Sequence, residues 1–168
     1  MKNIGVLALA LLSIAGCSSW GGYIHDSAKF KFHFAFPEGW EVWDKSDDRR
    51  DFLMGVYKGN PDTKLEMTAT PVAPDIETNE LYPFFLDGSG DAGELQDFGI
   101  DDKGLVSASN GEGRFVTVRW KGEKFDMRGY RALFLGNRFK LEVRAEVPEE
   151  MFMEHEAELN RMIRELKL

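Results

Sequence analysis

The chain has 168 residues, 43% hydrophobic and 12% aromatic, which suits one domain with a substantial core and is too apolar for wholesale disorder. Its formal net charge of −8 argues against nucleic acid as a partner and, with no polybasic cluster, against broad docking on anionic lipid headgroups. The charges alternate in sign along most of the chain, as on a solvated surface.

The first residues, MKNIGVLALALLSIAGC, combine a positive start at Lys2, an apolar run from Ile4 to Leu12, and small residues before the single cysteine, Cys17. That is the layout of a secretory signal, and the run is shorter than the about 20 apolar residues a membrane-spanning helix needs. Ile14-Ala15-Gly16-Cys17 resembles the lipobox of bacterial lipoproteins, in which lipid is added to the cysteine thiol and the chain is cut just before it. An ordinary signal peptide with an incidental cysteine is the alternative. The resemblance implies a signal peptide over 1–16, an anchor at Cys17, a small and flexible tether over 17–27, and one globular domain over 28–168. With Cys17 acylated no thiol remains, so disulfides, cysteine-ligated zinc and a cysteine nucleophile are excluded. In enteric lipoproteins an aspartate after the cysteine retains the protein in the inner membrane, and Ser18 here resembles the outer-membrane class. Trp20 and Tyr23 are expected either at headgroup level or resting on the domain.

Phe30, Phe32, Phe34 and Phe36 recur at period two, which predicts a strand over Lys29 to Phe36 with its aromatic face in the core. Pro37-Glu38-Gly39 turns the chain into extended structure at Trp40 to Trp43. Strands are expected at Phe52 to Tyr57 and Lys64 to Val72, joined by the turn Gly59-Asn60-Pro61-Asp62. Thr78 or Asn79 caps a short helix with Leu81, Phe84 and Phe85 on one face, and Pro83 fits only near its first turn. Asp87 to Gly104, rich in glycine and acids, reads as an exposed, mobile loop with one helical turn near Leu95 and Phe98. Beyond Leu105, Val116, Val118 and Trp120 alternate with Thr117 and Arg119, and Gly122-Glu123 turns into a strand over Phe125 to Leu135. Gly136-Asn137 is a two-residue hairpin signal. Phe139, Leu141, Val143, Ala145 and Val147 then alternate with charged residues, the pattern of a half-exposed strand. Pro148 opens a final helix whose apolar stripe is Phe152, His155, Leu159, Met162, Ile163 and Leu166, with Glu149 and Glu150 at its positive end.

The opening Phe32 to Trp40, Phe-x-Phe-Ala-Phe-Pro-Glu-Gly-Trp, followed by antiparallel strands, a mid-chain helix, a closing hairpin over Tyr130 to Val147 and a C-terminal helix, resembles the PsbP-like fold. That fold is shared by photosystem extrinsic proteins, DcrB-type bacterial lipoproteins and a Ran-binding protein. The resemblance implies an α+β domain, an antiparallel β-sheet sandwiched by helices with the C-terminal helix packed on the sheet. It also implies a binding or assembly role rather than catalysis. No residue set in this chain matches a member's metal or partner site.

Several constellations carry little. Gly88 to Gly93 satisfies G-x-G-x-x-G, but it follows a helix signal, and Asp87, Asp91 and Glu94 repel phosphate. Asp87, Ser89 and Asp91 have the spacing of a calcium loop, yet Ala92 stands where glycine is required and Phe98 where the bidentate acid belongs. His25, His33 and His155 cannot be brought together from sequence, and neither H-E-x-x-H nor G-x-S-x-G occurs. Arg131 lies in a strand apolar on both sides, so it is expected to be partly buried with a carboxylate partner. The same guanidinium is the one candidate ligand or partner contact.

These readings converge on a non-catalytic, lipid-anchored envelope domain that binds another envelope protein, without a cofactor or metal. A small-ligand carrier with a cavity between sheet and helices is the alternative. A hydrolase or metal enzyme with a dispersed carboxylate site ranks last.

Overall fold

The computed structural model describes residues 22–73, 81–86, 94–136 and 138–168. The chain runs β1 (Ile24–Asp26), β2 (His33–Ala35), β3 (Trp40–Asp44), β4 (Asp51–Tyr57), β5 (Lys64–Pro71) and α1 (Leu81–Leu86). It continues through β6 (Gln96–Ser107), β7 (Glu112–Lys121), β8 (Asp126–Gly136) and β9 (Phe139–Pro148) to α2 (Glu149–Glu165). β1 and β2 form a two-stranded ribbon, and the other strands form a seven-stranded antiparallel sheet ordered β3-β4-β5-β9-β8-β7-β6. The alternating strand β9 lies at its middle, where Phe139, Leu141, Val143, Ala145 and Val147 are all buried. Its odd-numbered face meets Leu65, Met67 and Ala69 on β5 and Tyr130, Ala132 and Phe134 on β8.

α2 covers that face. Pro148 is its N-cap, Glu149 and Glu150 occupy its first turn, and Phe152, His155, Leu159, Met162 and Ile163 are buried. Each large apolar side chain so buried contributes roughly 1.5–3 kcal/mol. The ribbon lies beside the helix, and the backbones of His33 and Lys167 bond to each other. Phe30, Phe32, Phe34 and Phe36 are all buried, as their spacing predicts. The strand they were expected to share is only His33–Ala35. Before it the chain turns: Phe30 N–H donates to Ser27 Oγ (3.0 Å), Lys31 N–H to the Ser27 carbonyl (2.8 Å), and Lys31 takes φ 58°. The expected tether over 17–27 is likewise shortened. Ile24–Asp26 pairs with β2, and Tyr23 packs edge-on against Phe36 while its hydroxyl donates to Asp44. Among the described residues β2 has no other strand partner, so the folded part recruits these residues. Phe36 is seated on Gly55, where an added Cβ would lie 2.4 Å from its ring.

Two further expectations are corrected. The loop reading of Asp87 to Gly104 fails from Gln96 onward, because β6 pairs with β7 there; residues 87–93 lie outside the described residues. Register shifts between Gln96 and Gly99 and between Ile100 and Asp102 accommodate the glycines and acids, with Asp97 at φ 55°. Asp101 is held by Arg119 (2.7 Å) and Arg128 (3.0 Å). Leu95 and Phe98 form no helical turn and pack instead against Val116, Val118 and Trp120. The last hairpin is not closed by Gly136-Asn137 as read: Gly136 pairs with Phe139 and so belongs to the strand, Arg138 takes φ 66°, and Asn137 lies outside the described residues.

The second face is thinner. Phe85 of α1 packs on Val116, Val118 and Trp120, and Arg114 of β7 lies over the Tyr82 ring at 5.4 Å. The cap residues Thr78 and Asn79 lie outside the described residues. Farther along this face β9 presents a solvated ladder in which Glu142 pairs with Lys140 (2.6 Å) and Arg144 (3.3 Å). Helices on both faces of one antiparallel sheet make the α+β sandwich that the sequence predicts.

Candidate functional site

α2 packs on β9, β8 and the ribbon, and the sheet continues past it. The gap between the helix and the β6–β8 end of the sheet is a groove of about 670 Å³. Its floor comes from the odd-numbered, less apolar side of β7. Gly113, Phe115, Thr117 and Arg119 face the groove side because they pair with Phe134, Ala132, Tyr130 and Arg128 of β8. Phe115 and Tyr130 stack nearly parallel, 5.6 Å between ring centroids and 8° between planes. Phe152 of α2 forms the wall, with the Arg128 guanidinium 4.9 Å from its ring centre. Met153 stands at the lip, 74% exposed, and Val106 of β6, which pairs with Gly113, faces the groove, while its neighbour Leu105 pairs with Arg114 and projects from the opposite face.

The charges around this floor are of two kinds. Arg128 donates from Nε and Nη2 to Asp101 Oδ2 (3.3 and 3.0 Å) and lies 3.4 Å from Glu149, while Arg119 meets Asp101 Oδ1. These ions neutralise one another. Asp102, Glu156 and Arg164 also line the groove, and none of the three has an ion-pair partner among the described residues; Arg164 Nε donates to the Asn160 carbonyl (3.2 Å). Burial, and secondarily the charge of Glu156, pushes the Tyr130 phenol well above its usual range. Tyr130 therefore stays neutral and acts here as an apolar ring with one hydroxyl. The arrangement suits an apolar or aromatic guest with a polar or cationic end, since stacked rings provide area at low entropy cost.

Arg131 is buried, 5% exposed, as the sequence implies, but it points to the other face, between Val116 and Arg144. It is not part of the groove. The three histidines remain apart. His25 lies between Asp44 and Asp51, 3.4 Å from each; His33 Nδ1 is 2.6 Å from Asp26; His155 packs against Tyr57 at 4.8 Å. Among the described residues no group of three or more His, Cys, Asp or Glu could hold a metal ion, and no helix is long and apolar enough to cross a membrane. Cys17, Ser18 and Trp20, and the calcium-like spacing of Asp87, Ser89 and Asp91, lie outside the described residues.

Sequence reading missed the groove, although one signal pointed to it. Counting back from the turn at Gly122–Phe125 pairs Thr117 with Tyr130 and sets Phe115 diagonal to it. What that count does not supply is where α2 stops covering the sheet.

No protein-family model matches this sequence, and no curated protein is similar to it at a significant level. Solved structures do match. Cyanobacterial PsbP from Synechocystis sp. PCC 6803 superposes with a TM-score of 0.69 at 11% identity, over 94% of this chain and 98% of that one. LpqN of Mycobacterium tuberculosis, involved in cell envelope biogenesis, matches with a TM-score of 0.60 at 12% identity, over 89% and 86%. The Ran-binding protein Mog1p of Saccharomyces cerevisiae matches with a TM-score of 0.55 at 9% identity, over 89% and 96%. Identities this low carry the fold alone. Together with the sheet order and the terminal helix, they show that this chain has the PsbP-like fold.

Proposed function

We propose that this protein is a lipid-anchored, non-catalytic module of the bacterial cell envelope that binds another protein through the groove between α2 and β6–β8. The observation that carries the reading is the groove itself: partly buried Phe115, stacked on the buried Tyr130 ring, lies open beneath exposed Met153. Exposed apolar surface of this kind, rimmed by charge, commonly marks a recognition site. The lipobox-like residues before Cys17 support the anchor, and Ser18 supports the outer membrane. LpqN, with the same fold, is described as involved in cell envelope biogenesis, which is compatible with this location.

Cys17→Ser is expected to abolish lipid labelling and release the protein from membranes; labelling that persists would end the anchor reading. For the groove, a photo-crosslinking amino acid placed at Met153 in intact envelopes is expected to give a discrete adduct. The same residue at exposed Arg49, away from the groove, is expected to give none. Equal or absent adducts at both positions would overturn the groove as the binding surface.

A further inference from the structure

β6, at 12 residues, is the longest strand and lies at the sheet's edge, and among the described residues only β7 pairs with it. Edge strands are ordinarily protected against pairing by charges, bulges, prolines or brevity. The first half of β6 has such protection: two register shifts, the left-handed Asp97, and the acids Asp97, Asp101 and Asp102. The second half does not. From Lys103 opposite Val116 to Ser107 opposite Glu112 the register is unbroken, and Gly104-Leu105-Val106-Ser107 holds no charge, proline or bulge. The opposite edge, β3, has five residues and carries Glu41 and Asp44.

We infer that the outer edge of β6 from Lys103 to Ser107 accepts an extended segment of a partner protein as an eighth strand. Alternate apolar side chains of that segment enter the groove, and a Lys or Arg among them meets Asp102 and Glu156. The inference rests on the partner-binding reading above and adds what is recognised. An added strand lies about 4.8 Å beyond β6, which brings its groove-side residues beside Asp102, Gly104 and Val106, the β6 residues that pair with Thr117, Phe115 and Gly113, and across from Met153 and Glu156 of α2. Main-chain hydrogen bonds then supply affinity, and the groove supplies selectivity. Charge selects the occupant. Asp101 is already neutralised by two arginines, whereas Asp102 and Glu156 have no ion-pair partner among the described residues and outnumber the one unpaired cation of the lining, Arg164. A second copy of this chain, with a net charge of −8, would bring the same acids to the same place.

The test uses the full-length protein in detergent and three labelled nine-residue peptides. The first alternates Val and Thr around a central Lys, the second has Glu for that Lys, and the third has the Lys sequence with alternate backbone nitrogens methylated. The Lys peptide is expected to bind about tenfold or more tightly than either control, since both charge pairing and edge hydrogen bonds are removed one at a time. Amide exchange over 103–107 is expected to slow on binding. Leu105→Lys, at an exposed position, should weaken binding about tenfold with the thermal melt unchanged, by placing a charged guard on the edge. Glu156→Gln should narrow the preference for Lys over Glu. No binding of the Lys peptide at millimolar concentration overturns the inference, and so does concentration-dependent dimerisation abolished by Leu105→Lys. A peptide that perturbs Tyr130 and Met153 without slowing exchange at 103–107 removes the added strand but leaves the groove reading standing. Loss of the Met153 adduct described above removes the groove reading itself.

Discussion

One face of the sheet is treated in two ways along its width. Under α2 and the β1–β2 ribbon, from β3 to β8, Leu53, Met67, Leu141, Val143 and Phe134 are almost wholly dry. At β6–β7 the same face remains open, floored by Phe115 and rimmed by ions. Geometry accounts for the difference. Seven strands at about 4.8 Å spacing span roughly 30 Å, while one helix covers about 10 Å and a two-stranded ribbon a similar width. The layer above the sheet is therefore about two strands too narrow. The uncovered strands compensate by paired charges, Asp101 with Arg119 and Arg128, and by a stacked ring pair whose one flank stays accessible. A binding groove results from incomplete coverage rather than from a dedicated insertion.

The largest expected effect breaks the covered end. Removing Pro148 to Leu168 exposes the partners of Phe152, Leu159, Met162, Ile163 and Leu166, each at most 3% exposed. At roughly 1.5–3 kcal/mol apiece the loss rivals the about 5–15 kcal/mol that holds a domain together, so the truncate should be insoluble or lack a cooperative melt. A soluble truncate with a native-like melt would show that the helix is an appendage.

Matched phenylalanine deletions sharpen the comparison. Phe34→Ala, at a fully buried ring packed edge-on against Phe36, should cost about 3–5 kcal/mol by chemical denaturation. Phe115→Ala, partly buried on the open floor, should cost less, about 1–2 kcal/mol, mostly the stacking with Tyr130 and part of the buried area. Equal costs would mean that the groove is core in all but accessibility.

Titration distinguishes the same two ends. Burial raises the Tyr130 pKa, so the native state binds that proton more tightly than the unfolded chain does. The stability it provides is complete below about pH 10 and is lost as pH rises beyond. Tyr130→Phe should flatten the alkaline fall in melting temperature and remove the last tyrosine to ionise in an ultraviolet titration. The smallest effect belongs to Asp44, beneath the ribbon. Burial acts to raise its pKa, but hydrogen bonds from Ser46 and Tyr23 and the nearness of His25 outweigh this and lower it. A lowered carboxyl stabilises above its unfolded pKa and loses that contribution as pH falls below about 4. Because Asp44 is largely solvent-screened, Asp44→Asn should cost less than about 1 kcal/mol at neutral pH, and the difference should vanish in acid melts.

Much of the fold is legible in the sequence where a local pattern and its burial agree. The alternation of Phe139 to Val147, the stripe from Phe152 to Ile163 and the buried rings of Phe30 to Phe36 each declare one apolar face, and water alone dictates which way it turns. Other features depend on partners remote in the chain. Gln96 to Gly104 is rich in glycine and acids and has little strand propensity, and it extends only because β7 offers a ladder and Arg119 and Arg128 neutralise Asp101. Ile24–Asp26 is too short to signal itself, and it becomes a strand by pairing with β2, which has no other strand neighbour among the described residues. Arg131 reads as buried from its own strand, yet which face it takes follows from the register with Val116 and Arg144. Composition and periodicity by themselves determined an acidic chain of alternating strands with one amphipathic terminal helix, and the resemblance carried by Phe32 to Trp40 and the order of elements supplied the α+β arrangement. Only the tertiary structure decided that β5 pairs with β9 and that β6 is an edge among the described residues, and it alone showed where α2 leaves Phe115 open above the buried Tyr130. Strand order and layer width are set by the competition of distant segments for the same apolar surface, and no local window of sequence contains that competition.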